Sequence, residues 1–519
     1  MNRENMLATL EKYDGKWDFI IIGGGATGVG CAIDAASRGY KTLLLEQSDF
    51  GKGTSSRSTK LVHGGVRYLQ QGNLTLVLEA LKERGLLRKN APHLVHDQKF
   101  IVPNYDWWEG PFYGIGLKLY DMLAGKEGFG PSKLLSVEET LKHIPTIETN
   151  GLKGGVIYHD GQFDDARLII NMVKTASEQG ATLVNYMRVA ALFDEEDVIC
   201  GVSAIDEESG RKYNLKCKVV INATGVFTDT VRKMSDPQTT KIITSSQGIH
   251  IVLDKSFLPG DSAIMVPETD DGRVLFAIPW HDKIIVGTTE TPVEEYLLDP
   301  VPQAEEIDFL LTHAARYLTK DPTHKDILSV FAGLRPLVKS GNSENTAAIS
   351  REHTINISRK GLVTIAGGKW TTYRKMSEDT IDQAAILAQL DSIDSNTSDL
   401  QIHGYHKHPE EFGSLSIYGS DAPAIKALLS ENLNNKNILH PDFLTMEGEV
   451  IWAVRYEMAR TVEDFLSRRT RILLMNAQAS IDIAPTVAKL MAIELNKDKV
   501  WIERQLQQYK NIAEKYVVG

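Results

Sequence analysis

Residues 18–46 read DFIIIGGGATGVGCAIDAASRGYKTLLLE, and this stretch decides the fold. Residues 19–22 form a short, continuous apolar run, the pattern of a strand buried on both faces. Gly23-Gly24-Gly25-Ala26-Thr27-Gly28 then supplies G-x-G-x-x-G. A small-residue helix pattern runs on to Arg38, with Gly39 where a helix-closing glycine belongs. Residues 41–45 read as a second strand that ends in Glu46. Each part suits a dinucleotide. Glycines permit a tight turn and close backbone approach to a pyrophosphate, and the helix N-terminus offers free N–H groups and a positive dipole end. Glu46 is placed to accept hydrogen bonds from the adenosine ribose hydroxyls, and an acid there disfavours a 2′-phosphate. G-x-G-x-x-G alone is weak evidence; the whole strand–helix–strand unit of about 30 residues with its terminal acid is specific.

A chain of 519 residues is too long for one simple core, so two or three domains are expected. With 42% hydrophobic and 24% charged residues the composition is that of a soluble globular protein. A net charge of −11 argues against a general nucleic-acid binder. Cys31, Cys200 and Cys217 have neither disulfide-framework nor metal-site spacing, which points to a reducing cytoplasm, and no His/Cys/carboxylate set reads as a metal site. Residues 1–16 lack the apolar core of a secretory signal, and no run approaches the ~18–20 apolar residues that span a bilayer. Membrane contact, if made, is therefore expected to be peripheral.

Further along, the polar segment GKGTSSRSTK (51–60) leads into LVHGGVRYLQ (61–70). A helix is expected over 74–89, with Leu74, Val77, Leu78, Leu81 and Leu86 on one face. Residues 91–160 read as an irregular insertion rich in Pro, Gly, Trp and Tyr. A strand–helix–strand pattern returns at 156–189, where Asp164-Asp165 read as a helix cap and Gly180 as a helix end. A β-rich passage follows and closes on VVINATG (219–225), a strand running into a small-residue turn. Alternation over 241–350, with a polar helix near 303–318, suggests a largely antiparallel second domain. GLVTIAGGKWTTYRKMSEDTIDQAA (361–385) is a strand–glycine–helix unit that returns to the nucleotide domain. From about 395 the texture becomes helical. The expected architecture is α/β plus α. A Rossmann-type dinucleotide-binding domain comprises 17–90, 156–240 and 355–390; an antiparallel-sheet substrate domain comprises 91–155 and 241–354; a C-terminal helical domain comprises 395–519.

IIGGGATGVGCAIDAASRG, TSSRSTKLVHGGVRYL, FDDARLI, VINATGVF, FAGLRPL, AGGKWTTYRKM and RYEMARTVEDFLSRRTR occur in the order seen in the FAD-dependent glycerol-3-phosphate dehydrogenases. The chain resembles that family over essentially its whole length, and HGGVRYL with GLRPL and GGKWTTYRKM is the specific part. The resemblance implies FAD, oxidation of sn-glycerol 3-phosphate to dihydroxyacetone phosphate, and electron delivery to a membrane quinone. It implies cofactor contacts from Gly23, Gly25, Gly28, Glu46, Thr54, Ser55, Ser56, Lys60, Leu61, His63, Gly64, Val189, Ala223, Gly225, Gly368, Lys369 and Thr372.

The substrate is a secondary alcohol bearing a phosphate, so its site needs cations, a fixed carbon–hydrogen bond and a proton acceptor. Arg67 and Tyr68 match the family's active-site pair; Arg335 and Arg351 match two further arginines, a residue type suited to bidentate phosphate contact. Lys369, at a glycine turn opening a helix, suits contact with flavin, phosphate or a developing alkoxide. Thr371 and Thr372 suit either helix capping or the flavin ring end, with Thr371 placed among the substrate contacts, and Trp370 reads as packing. His250, at a reference pKa of ~6.5, is the simplest candidate base at neutral pH, since Lys369 would need its pKa lowered and a guanidinium does not normally deprotonate. Cations that stabilise an alkoxide while its proton leaves through water are the alternative. YDWWEGPFYGIGLKLYDML (105–123) is the candidate membrane surface, on the inner face of the cytoplasmic membrane, with an aromatic core or domain interface as the competing reading. Arg468, Arg469 and Arg471 suit anionic lipid, another subunit of a homodimer, or a solvated helical face. Competing activities are an oxygen-using oxidase, an amine-oxidising flavoenzyme and a flavin-binding regulator without turnover. The arginine motifs argue against the amine enzyme, and retention of every active-site residue argues against the regulator.

Overall fold

The computed structural model describes residues 1–65, 73–125, 128–270, 272–339 and 353–518. Strand Trp17–Ile22 lies at the centre of a first sheet in which five strands run parallel. Its neighbours are Thr42–Leu45 and Lys212–Asn222; Thr182–Val184 and Val363–Gly367 extend the sheet outward. The unbroken apolar run has a direct cause. Phe19 and Ile21 point into one buried core, and Ile20 and Ile22 point into another on the opposite face. Helices Ala26–Ser37, Asp165–Glu178 and Tyr373–Leu387 cover the first face. The hairpin Met187–Glu195/Val198–Asp206 and helix Arg3–Lys12 cover the second. The dinucleotide unit is thus assembled from chain segments far apart in sequence.

A second, ten-stranded sheet is antiparallel among the described pairings, except where Ser262–Val266 runs parallel to Val95–Asn104. Strands Ile243–Asp254 and Ile327–Val338 form its longest pairing. Helix Ala304–Ala315 packs on one face, and it buries Ile307, Leu310 and Leu311 rather than forming the polar helix expected there. The other face meets the C-terminal helices through Val252, Trp280, Ile285 and Phe331.

Several expectations need correction. Residues 91–160 are not irregular: they contain strand Val95–Asn104, helix Glu109–Ala124, helix Val137–His143 and strand Gly154–Phe163. Gly154–Phe163 pairs with Val95–Asn104 in the second sheet, so a boundary at 156 cuts through a strand of that sheet. Helix Leu74–Asn90 buries Val77 and Leu81 but exposes Leu74 and Leu78. Asp164 does cap its helix, accepting from Arg167 N at 3.0 Å.

Arg468, Arg469 and Arg471 are buried, which excludes both a lipid-facing and a solvated role. Arg468 Nε and Arg469 Nη1 donate to Asp49 Oδ2 at 2.6 and 2.7 Å, and Arg468 also pairs with Glu463 and Asp464. Burial alone would raise the Asp49 carboxyl; Arg469 and Arg468 outweigh it and hold it below the usual carboxylate range. The C-terminal helices are therefore clamped by charge to the segment that follows the first sheet's second strand.

Candidate active site

A cavity of about 590 Å³ opens at the carboxyl ends of the parallel strands, where ligands of such sheets bind. It is lined by Gly23 and Gly25 of the first turn, by Glu46, and by the loop of Thr54 and Ser55. Further along are Met187 to Val189, Ala223 to Gly225, and Gly368, Lys369 and Trp370. The glycines fit a dinucleotide for steric reasons. A Cβ on Gly23 would stand 2.6 Å from Ala223 O, and one on Gly28 would stand 1.9 Å from Gly23 O, so Gly28 brings helix and turn together rather than lining the cavity. Ser55 Oγ accepts from Ala26 N at 3.0 Å and so caps the helix end that points at the cavity. Glu46 is half-buried and accepts from Gly24 N at 2.6 Å and Ser48 N at 2.8 Å. Burial raises its carboxyl above the ordinary value, against the pull of those two N–H groups.

The second turn mirrors the first. Gly367 and Gly368 take φ of 77° and 80°, the left-handed region open to glycine, and a Cβ on Gly368 would meet Met376 Sδ at 2.4 Å. Lys369 follows with its Nζ buried. Trp370 lines the cavity and donates from Nε1 to Ser55 O at 2.9 Å, tying the two glycine turns together. Thr372 Oγ1 donates to Lys369 O at 3.3 Å and makes no capping bond to its helix, and Thr371 Oγ1 accepts from His63 N at 3.3 Å.

The cavity abuts the second sheet at Pro336, beside Arg335. Arg335 pairs in register with Ser246, and His250 pairs with Phe331 four residues along the same strand. The two-residue period places Ser246, Gly248 and His250 on one face of that strand. Arg335 Nη2 donates to Thr288 Oγ1 and Thr289 O, both at 3.0 Å, and would lie 2.3 Å from a Cβ on Gly248. Glycine at 248 therefore leaves room for the guanidinium. His250 is buried, stacks on Phe331 at 4.8 Å, and has Nε2 2.9 Å from Thr59 Oγ1. Burial first, then the charges of Lys60 and Arg335, push its pKa well below the ordinary histidine value. The imidazole is thus neutral at physiological pH by a wide margin, not poised near 6.5.

Other expected residues sit differently. Ser56, Lys60, Leu61, His63, Gly64 and Thr372 do not line the cavity, and neither do His250, Arg335 and Thr371. Lys60 is buried with Nζ 2.6 Å from Asp165 Oδ2, so its side chain faces the protein interior. Gly64 N donates to Tyr120 OH at 2.8 Å. Arg67, Tyr68 and Arg351 lie outside the described residues. Sequence reading passed over Thr59, and it passed over Tyr296 to Leu298, which close one wall of the cavity from the second domain. Thr59 lay inside a quoted motif, whereas Tyr296 to Leu298 carry no local signal.

Residues 18–374 match the family of FAD dependent oxidoreductases, and residues 364–501 match the C-terminal domain of alpha-glycerophosphate oxidase. The bovine mitochondrial glycerol-3-phosphate dehydrogenase is 40% identical over 98% of this chain and 74% of its own length. The chain belongs to the FAD-dependent glycerol-3-phosphate dehydrogenase family. Its relative from Schizosaccharomyces pombe is 35% identical over 98% of this chain and 89% of its own. The crystal structure of the Bacillus halodurans glycerol-3-phosphate dehydrogenase complexed with FAD superposes with a TM-score of 0.81 at 29% identity, covering 99% of this chain and 98% of that one. The Mycoplasma pneumoniae glycerophosphate oxidase, at 16% identity and a TM-score of 0.58 over 74% of this chain and 98% of that one, shares the fold.

Proposed function

We propose that this protein oxidises sn-glycerol 3-phosphate to dihydroxyacetone phosphate and passes the electrons to a membrane quinone. The observation that carries the reading is the shared sheet face of Arg335 and His250, on the strand pair whose Pro336 lines the dinucleotide cavity. Bound FAD supplies the hydride acceptor. Arg335 offers the phosphate a planar, permanently charged donor group, which Gly248 leaves space to move. His250, kept neutral, accepts the hydroxyl proton, and Lys369 adds positive charge where an alkoxide develops. Arg67, Tyr68, Arg351 and Thr371 complete the substrate contacts in this reading.

The quinone half is supported by helix Glu109–Ala124. Trp108, Phe112, Ile115, Leu119 and Met122 fall at alternating four- and three-residue steps and are all exposed, Ile115 at 72% and Met122 at 78%. Such a stripe lies readily in the plane of a bilayer interface, with Trp107 at its edge. No helix among the described residues is long and apolar enough to cross a membrane. The reading places the protein on the inner face of the cytoplasmic membrane as a peripheral enzyme, with a homodimer as an assembly to test.

Anaerobic addition of glycerol 3-phosphate to the FAD-loaded protein tests this directly. Loss of the oxidised-flavin absorbance is expected, followed by rapid recovery with a soluble quinone and slow recovery in air. A flavin band that persists would overturn the substrate. Faster recovery in air than with quinone would make the protein an oxidase.

A further inference from the structure

Thr59 joins two parts of the molecule that sequence keeps apart: its Oγ1 lies 2.9 Å from Nε2 of His250. A neutral imidazole has one N–H and one lone pair, and the bond made by one nitrogen fixes the role of the other. His250 Nδ1 is buried and has no hydrogen-bond partner among the described residues. If Nε2 donates to Thr59, Nδ1 is left with the lone pair that a substrate hydroxyl requires. Burial disfavours a charged ring, and Arg335 and Lys60, whose own pKa burial lowers to about 7, act in the same direction.

The placement of Thr59 is itself over-determined. Its neighbours on both sides are pinned to one carboxylate oxygen. Asp165 Oδ2 accepts from Ser58 N at 3.1 Å, from Ser58 Oγ at 2.7 Å and from Lys60 Nζ at 2.6 Å. Lys60 takes φ of 63°, a left-handed conformation that a non-glycine residue keeps only where the surroundings enforce it. Lys60 Nζ also donates to Ser56 O at 2.9 Å, and its backbone N donates to Ser58 Oγ at 3.0 Å. Arg471, from the C-terminal helices, donates to Asp165 Oδ1 at 2.8 Å and to Ser56 O at 2.9 Å. Ser58, Lys60, Asp165 and Arg471 are absent from the dinucleotide cavity, so this network has no part in lining it.

We propose that Thr59 is a positioning residue that holds the His250 ring with Nε2–H donated to the threonine and Nδ1 free to take the substrate's proton, and that Asp165, braced by Arg471, is the hub that fixes Thr59. The inference rests on His250 as the proton acceptor. When the proton arrives at Nδ1 the ring becomes imidazolium, and the Thr59 oxygen already faces the N–H on its far side.

The test compares Thr59→Val, Thr59→Ser and His250→Asn in the full-length, FAD-loaded protein by anaerobic stopped-flow reduction. Thr59→Val is expected to slow the limiting flavin-reduction rate about 10- to 100-fold while apparent affinity for glycerol 3-phosphate changes less than about threefold. Thr59→Ser, which keeps the hydroxyl, is expected to remain within about threefold of wild type, with flavin content unchanged in both variants. Equal losses in the Val and Ser variants would overturn the role of the hydroxyl. A normal rate in Thr59→Val beside a slow His250→Asn would overturn the Thr59 assignment and leave His250 standing. A normal rate in His250→Asn would remove the acceptor and this inference with it. Asp165→Asn is expected to shift the rate in the same direction as Thr59→Val.

Discussion

Arg468, Arg469 and Arg471 lie inside the molecule, while Trp107, Phe112, Ile115 and Met122 stand on its surface, Trp107 at 83% exposure. Residue type alone orders these two regions the other way round. The arginines are inside because partners meet them there: Asp49, Glu463, Asp464 and Asp165 each place a carboxylate within 2.8 Å of a guanidinium nitrogen. The aromatic helix is outside because its opposite face is already satisfied. Leu117 and Tyr120 are buried, and the Tyr120 hydroxyl donates to Asp160 at 2.9 Å, leaving the Trp108-to-Met122 stripe uncovered among the described residues. The contrast teaches that burial follows complementarity rather than hydropathy, in both directions.

The harshest way to break the contrast is Asp49→Ala. Two buried guanidinium groups lose their shared partner, and the expected loss is about 3–5 kcal/mol of stability, read from the urea unfolding midpoint. Trp107→Ser/Phe112→Ser/Ile115→Ser should leave folding and flavin reduction intact. It should weaken sedimentation with anionic lipid vesicles about 100-fold, as expected for removing three large apolar groups from an interface. Arg335 is the intermediate case, a partly buried cation that must stay reachable. Arg335→Lys is expected to weaken glycerol 3-phosphate about tenfold while changing glycerol by less than about twofold, and equal effects on both would take the phosphate away from it. His250 sharpens the electrostatic side. Its proton-accepting form is lost only as pH falls through a value held well below 6.5, so the reduction rate should show no acid limb near pH 6.5. The mildest case is Arg359→Ala. It removes a 2.5 Å pair with Asp197 in which the side chains are 86% and 58% exposed, and thermal unfolding should not move measurably.

How much of this could be read from the sequence depended on how local each signal was. The first glycine turn, Glu46, the cap at Asp164 and the turn at Gly367-Gly368 are legible because a few adjacent residues impose their backbone path. Arg335 and His250 could be named only through family motifs, since their shared face is a matter of strand register. The buried arginines could not be placed, because their countercharges are as much as 420 positions away. Neither could the helix Glu109–Ala124 be separated from its insertion-like surroundings, where glycines and aromatics mask a stripe that only the folded backbone aligns.

That same 420-residue separation between Asp49 and Arg469 has a consequence in time. On a ribosome adding ~5–20 residues per second, Asp49 emerges on the order of half a minute before the arginines that neutralise it. Until then a carboxylate destined for full burial has no partner, and the loop of Thr54 and Ser55 that follows it has no clamp. The nascent amino-terminal half therefore carries an unneutralised carboxylate close to the 51–55 wall of its cavity until the tail is made. The contacts that hold the loop beside the cofactor cavity are thus completed only when the segment carrying Arg468, Arg469 and Arg471 has been made.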